Sequence, residues 1–163
     1  MILLMGISIA PSGPVDFETT VPGSKSYTNR ALIAAALAEG GSTLTNASLS
    51  EDSLLLVEAL RGPGFSIEVD PHQRTFAVQG CGGTIARSTG DFFLGNAGTS
   101  LRFLTGFLSL GHGTYRIDGN ERMRERPIRD LARSLEQLGC EVQWEATQGC
   151  PPFTLVTHGR KGG

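Results

Sequence analysis

Past a glycine- and proline-bearing opening, the apolar residues of this chain fall into short runs whose spacing switches between helical and extended periods. Glycine or proline separates most of the runs. Leu32, Ile33 and Leu37 form a helical stripe and predict a helix over about residues 28–38, stopped by Gly40-Gly41. A short strand is expected at 43–45. Ser50, followed by Glu51 and Asp52, offers a cap and first-turn acids for a second helix to about Leu60, closed by Gly62-Pro63-Gly64. Residues 65–69 and 75–78 then read as two strands joined by the turn Asp70-Pro71-His72-Gln73.

After a glycine-rich linker at 80–83 the same order returns. A strand at 91–94 feeds the loop Gly95-Asn96-Ala97-Gly98-Thr99, and a helix over 100–110 carries Leu101, Leu104 and Leu108 on one side. A strand at 115–118 follows, then a helix from Pro127 to Leu138 with Gly139 as its stop, then a strand pair at 140–145 and 153–157. Matching elements lie about 70 to 78 positions apart, and this order predicts two βαβαββ units at 23–83 and 84–163, after an extended lead-in at 1–22. Residue identity between the halves is poor, so the repeat rests on element order. Residues 54–57 and 103–110 read as core faces, and Phe103 is expected to be buried on its helix.

Composition narrows the classes. With 163 residues, 39% of them hydrophobic, the chain can bury a core and forms one domain or a piece of a larger one. Its net charge of -2 argues against a sequence-independent nucleic-acid binder, so any anion binding must be local. Cys81, Cys140 and Cys150 are odd in number with no C-x-x-C pair, which suggests neither a disulfide framework nor a zinc site. His72, His112 and His158 stand apart and read as surface residues; no metal or cofactor is expected. The apolar opening at 1–9 is short, lacks a basic flank and precedes Pro11-Ser12-Gly13-Pro14, so it reads as a strand and not as a signal peptide or membrane span. Residues 15–21 read as a second extended segment.

Three stretches carry candidate chemistry. Pro22-Gly23-Ser24-Lys25-Ser26-Tyr27-Thr28-Asn29-Arg30 sets hydroxyls and two cations at a helix start, where unpaired N–H groups and the dipole favour an oxyanion. Only Lys25 and Lys161 are lysines, so Lys25 is no random draw from a lysine-rich surface. The competing reading makes Ser26 or Thr28 a plain helix cap and leaves Lys25 solvated. A Walker A loop is excluded because Thr19 and Ser24 stand where glycines are required. In the second stretch, Gly95 to Thr99, two glycines permit close backbone approach while Asn96 and Thr99 offer hydrogen bonds; a common strand-to-helix turn is the rival. Neither this loop nor 80–83 completes G-x-G-x-x-G, which argues against a dinucleotide site. The third stretch packs Arg122, Arg124 and Arg126 ahead of a helix, where cationic side chains gain least from the dipole and forks suit carboxylate or phosphate. Glu121 or Glu125 is expected to pair with at least one of them.

Taken together, PGSKSYTNRAL, LGNAGTSLR and RMRERPI resemble, in order and spacing, the three substrate-loop motifs of the 5-enolpyruvylshikimate-3-phosphate synthases, the 3-phosphoshikimate 1-carboxyvinyltransferases. The resemblance implies an α/β (α+β) fold of the inside-out barrel type, each of two domains being built from three βαβαββ units, of which two are present here. It implies transfer of the enolpyruvyl group of phosphoenolpyruvate to the 5-hydroxyl of shikimate 3-phosphate, in the cytoplasm. Carried over residue by residue, it makes Lys25 catalytic and in contact with both substrates. Ser26 and Arg30 then hold shikimate 3-phosphate, and Gly98 and Arg126 hold phosphoenolpyruvate, with Asn96, Thr99 and Arg102 in support. Glyphosate is the family's inhibitor, yet Phe103 stands where many members have proline, which bears on sensitivity to it. The resemblance further implies a third unit and a second domain, carrying the acid–base carboxylates, supplied in cis or in trans; this chain alone is then expected to be inactive. Two other readings are a UDP-N-acetylglucosamine enolpyruvyl transferase relative, in which asparagine and not Ser26 would follow the loop lysine, and a non-catalytic phosphate- or partner-binding module.

Overall fold

A computed structural model describes Ser8 and residues 10–159. In chain order the elements are α1 (Lys25–Leu37), β1 (Gly41–Leu44), α2 (Glu51–Arg61), β2 (Ile67–Asp70), β3 (Thr75–Gln79), β4 (Thr89–Phe93), α3 (Gly98–Leu108), β5 (His112–Asp118), α4 (Glu121–Arg124), α5 (Arg129–Gln137), β6 (Glu141–Trp144) and β7 (Phe153–His158). The strands form two sheets. One has the antiparallel order β1-β3-β2, and the other runs β4-β5-β7-β6, with β4 parallel to β5 and the remaining pairs antiparallel. The parallel pair is bridged by α3, as a parallel connection requires. No closed barrel is present among the described residues.

Helices α1, α2 and α3 pack against one another between the sheets, and a single apolar cluster runs from Leu32 through Leu56, Leu60 and Phe76 to Leu101, Leu104, Tyr115 and Phe153. Ala35 and Ala36 are buried on α1 and let its backbone approach its neighbours closely; Ile33 and Leu37 are only half-buried. On α2 the buried residues include Leu56 and Val57, whereas Leu54 is exposed. On α3, Leu101, Leu104, Phe107 and Leu108 are buried but Phe103 is only partly buried, and Leu110, expected on this helix, lies beyond its end and is exposed. The core face of this helix is therefore narrower than its sequence suggests.

Several boundaries differ from the expectation for identifiable reasons. Helix α1 begins at Lys25, three residues early, because Ser24 and neither Ser26 nor Thr28 is the cap: its Oγ accepts from Tyr27 N at 3.4 Å. The 15–21 segment joins no sheet, and Val15, Phe17 and Val21 are 70, 71 and 67% exposed. The strand expected at 1–9 lies outside the described residues, Ser8 excepted. Residues 80–83 are no free linker. Cys81, Gly82 and Gly83 donate their N–H groups to Ala36 O, Ala38 O and Leu37 O, satisfying carbonyls that the end of α1 leaves open. The short α4 carries no apolar period and was not expected; Asn120 caps it, accepting from Met123 N at 3.1 Å. Residues 127 and 128 precede α5, so Pro127 is not its first helical residue.

Where the three helices meet, the core is polar. Asn29 is fully buried; its Nδ2 donates to Ser100 Oγ at 3.0 Å, and its Oδ1 accepts from Ser53 Oγ at 2.8 Å. Ser100 Oγ in turn donates to Asp52 O at 2.9 Å. One amide thus joins α1 to the first turns of α2 and α3. Asn29→Ala should leave both serines short of a partner and cost about 1 to 3 kcal/mol. Thermal unfolding followed by circular dichroism is the check, and an unchanged Tm would mean that the network contributes nothing.

Candidate functional site

The chain enters α1 through a tight crossing. A Cβ on Gly23 would lie 1.9 Å from Asn46 O, so only glycine passes there. Beyond it Ser24 caps the helix, which makes Lys25 and Ser26 its first two residues, with exposed side chains and N–H groups that have no intrahelical acceptor. Lys25 Nζ donates to Asp52 Oδ2 at 2.9 Å. Asp52 is thus more than a first-turn acid: it orients the lysine. Arg30 donates from Nη1 to Ser26 O at 2.9 Å, and its Cζ sits 5.3 Å from the centre of the Phe103 ring.

The second loop and the third stretch come together. Gly98 is the first residue of α3, and a Cβ there would approach Arg126 Nη1 to 2.7 Å and Arg102 Nη1 to 3.2 Å. The missing side chain is what lets two guanidiniums stand over this helix start. Arg102 donates to Gly98 O at 2.9 Å and to Pro127 O at 2.8 Å, and Arg126 Nη1 donates to Asn96 O at 3.4 Å. Thr99 is exposed on the same turn. Asn96 Oδ1 is buried and has no hydrogen-bond partner among the described residues. Asn120 N donates to Gly95 O at 2.9 Å, so the second loop and the third stretch are also tied through their backbones.

Of the three arginines in the third stretch, the structure separates one from the others. Arg124 binds Asp118 with both arms of its fork, at 2.9 and 2.7 Å, and its partner is therefore neither Glu121 nor Glu125. Asp118 is 3% exposed and also accepts from Gly119 N at 2.7 Å and from Arg116 at 3.2 Å. Burial alone pushes its carboxyl up, but the Arg124 hydrogen bonds, the Gly119 N–H, the Arg124 charge and Arg116 bring it below the usual carboxylate range. Arg122 is exposed. Nothing in the sequence marks Asp118 as this partner, since the pair forms only when the strand end folds back on α4.

The two groups of residues lie on adjoining helix starts. Lys25 is bound to Asp52, and the Asp52 carbonyl is bound to Ser100, two residues beyond Gly98. A cavity of about 530 Å³ opens beside Arg102 and Pro127 and is lined further by Arg129, Asp130, Gln148 and Cys150; it reaches neither Lys25 nor Gly98. Among the described residues no group of His, Cys, Asp and Glu could hold a metal ion, and no helix is long and apolar enough to cross a membrane. None of the three cysteines forms a disulfide, and the three histidines are exposed. The geometry defines a class: a mixed α/β protein that gathers Lys25, Arg30, Arg102 and Arg126 at two helix N-termini, suited to ligands with several negative charges.

The particular family follows from comparison with known proteins. Residues 9–163 match the model of EPSP synthase (3-phosphoshikimate 1-carboxyvinyltransferase), and the chain belongs to that family. Relatives named 3-phosphoshikimate 1-carboxyvinyltransferase include that of Trichormus variabilis, 45% identical over 150 residues, covering 92% of this chain and 35% of the relative. The relative from Shewanella denitrificans is 42% identical over 158 residues, covering 96% and 37%. Among solved structures, EPSP synthase from Acinetobacter baumannii superposes with a TM-score of 0.79 at 31% identity, covering 85% of this chain and 31% of that one. The chain spans about a third of the length of the curated relatives it matches.

The Asp118 cluster makes a pH prediction. A carboxyl held below its ordinary value contributes stability that is present above the unfolded pKa, about 3.9, and is lost as pH falls through the lower folded value. The chain should therefore lose stability on acidification below about pH 4. Asp118→Asn should be less stable at neutral pH and show a flatter acid limb. Urea unfolding at a series of pH values measures this, and parallel acid limbs for the two proteins would contradict it.

Proposed function

We propose that this chain is the N-terminal portion of an enolpyruvyl transferase that converts shikimate 3-phosphate and phosphoenolpyruvate to 5-enolpyruvylshikimate 3-phosphate and phosphate, in the shikimate pathway of aromatic amino-acid biosynthesis. The observation that carries this reading is Gly98, whose absent side chain leaves the Arg126 and Arg102 guanidiniums over a helix N-terminus. A second oxyanion site, at Lys25, adjoins it through Asp52 and Ser100. Two anions must meet in this reaction, and like charges are brought together only where fixed cations and N–H dipoles offset their repulsion.

In this reading Lys25 contacts both substrates and is the catalytic residue of this portion. Ser26 and Arg30 hold shikimate 3-phosphate, while Gly98 and Arg126 hold phosphoenolpyruvate. Thr99 adds a hydroxyl at the same helix start. Arg102 fixes the approach of residue 127 to the second loop, and Asn96 accepts from Arg126 at its main-chain carbonyl. Glyphosate, as an inhibitor of the phosphoenolpyruvate site, would meet the same groups.

The architecture we propose is the inside-out type, with 1–22 as lead-in and units at 23–83 and 84–163. The order β1-β3-β2 has the same connectivity as β5-β7-β6, each helix pair preceding its closing hairpin, which supports the repeat. The remaining two-thirds of the relatives' length would supply a third unit and a second domain, in cis or in trans, and the protein would act in the cytoplasm. Among the matched positions no carboxylate is free for proton transfer to and from the substrates. Asp52 is occupied by Lys25, and Asp118 by two arginines.

In the full-length protein, Lys25→Ala and Arg126→Ala should each remove a charge-assisted contact worth about 1.5 to 3 kcal/mol, roughly tenfold to a hundredfold in affinity, with little change in Tm. Titration calorimetry with both substrates tests each assignment, and normal binding by either variant would remove that residue from the site. A phosphate-release assay on this chain with both substrates should show no turnover until the rest of the relatives' sequence is added as a separate chain. Turnover by the chain alone would sink the claim that it is only part of the machinery.

A further inference from the structure

Phe103 stands one turn into α3, yet its ring is only partly buried and faces across to α1, where the Arg30 guanidinium lies 5.3 Å from its centre. Arg30 is exposed and makes one further contact, from Nη1 to Ser26 O at 2.9 Å; no carboxylate pairs with it among the described residues. A long cationic side chain in that situation ordinarily samples many rotamers, and each must be given up when an oxyanion binds. Here a backbone carbonyl holds one arm of the fork and an aromatic face attracts its charge, while the remaining side-chain N–H groups have no partner among the described residues.

We propose that Phe103 is a positioning residue for Arg30, and that it thereby sets the affinity of the first-loop oxyanion site while leaving the site at Gly98 and Arg126 unaffected. The inference rests on the reading of Arg30 as a shikimate 3-phosphate ligand. It assigns to α3 a part in binding at α1: the helix that presents Gly98 at its start also presents the surface on which the neighbouring site's arginine rests. The interaction is one of ring quadrupole with cation, so it depends on an aromatic face at 103 and not on side-chain volume.

The test uses the full-length protein with shikimate 3-phosphate as the probe. Phe103→Leu should raise its Kd roughly twofold to fivefold, as expected for loss of one exposed cation–π contact, and Phe103→Tyr should restore wild-type affinity. The KM for phosphoenolpyruvate at saturating shikimate 3-phosphate should stay unchanged in both. In an Arg30→Ala background, Phe103→Leu should have no further effect on Kd. Should Phe103→Leu lower Tm enough to obscure binding, Phe103→Met keeps the bulk, removes the aromatic face and carries the same expectation. An unchanged Kd in the Leu and Met variants would overturn the inference, as would an equal loss in the Arg30→Ala background or a matching rise in the phosphoenolpyruvate KM. If the unaltered protein fails to bind shikimate 3-phosphate, the reading of the site falls and this inference falls with it, an outcome distinct from binding that is insensitive to residue 103.

Discussion

The arrangement of the site depends on one buried amide. Apolar contacts bring α1, α2 and α3 together, but dispersion and burial are nearly indifferent to a small slide of one helix along another. Asn29 is not indifferent. Its donor must meet Ser100 and its acceptor must meet Ser53, all three residues being closed to bulk solvent, so a slide of one helix that broke either bond would leave a buried polar group unpaired. The placement that keeps both bonds puts the first turn of α1 beside Asp52 and Ser100, and hence Lys25 beside the helix that begins at Gly98. The network costs desolvation of polar groups, and what it returns is register.

The cations divide by the kind of partner that holds them. Arg116 and Arg124 are tied to carboxylates, and their charge is largely answered within the fold. Arg30, Arg102 and Arg126 are held by backbone carbonyls of Ser26, Gly98, Pro127 and Asn96. A carbonyl fixes a guanidinium without neutralising it, so these three keep a net charge to offer. Lys25 lies between the two cases, its side chain being half-exposed and its partner a carboxylate on a neighbouring helix. The distinction separates structural arginines from candidate ligand arginines within a single stretch, Arg124 from Arg126, where the sequence shows only alternation.

Much of this was legible in the residues. The periodic apolar runs placed α2, α3 and most strands within a few positions, because burial on one face is what creates the period. The three loop motifs singled out the stretches that the structure sets at two adjoining helix starts. What escaped was of two kinds. Local competition misplaced the start of α1: three hydroxyls, Ser24, Ser26 and Thr28, each suit a cap, and the choice is made by the crossing of Gly23 over residue 46. Long-range pairing hid the rest. The bonds of Asn29 to Ser53 and Ser100, and of Arg124 to Asp118, join positions that share no motif, and the ring beneath Arg30 belongs to a helix far along the chain.

The separation of those partners has a consequence for how such a protein can change by recombination. Asn29 and Ser100 are 71 residues apart, on either side of the crossover at 80–88, and Ser53 lies with the first of them. A chimera joined in that crossover would inherit its asparagine from one parent and its α3 serine from the other. Exchange between relatives is then tolerated only where both parents encode the same solution to the junction. Phe103 is tied to Arg30 across the same boundary, so binding preferences on the two sides of the joint are inherited as a pair and not as independent modules.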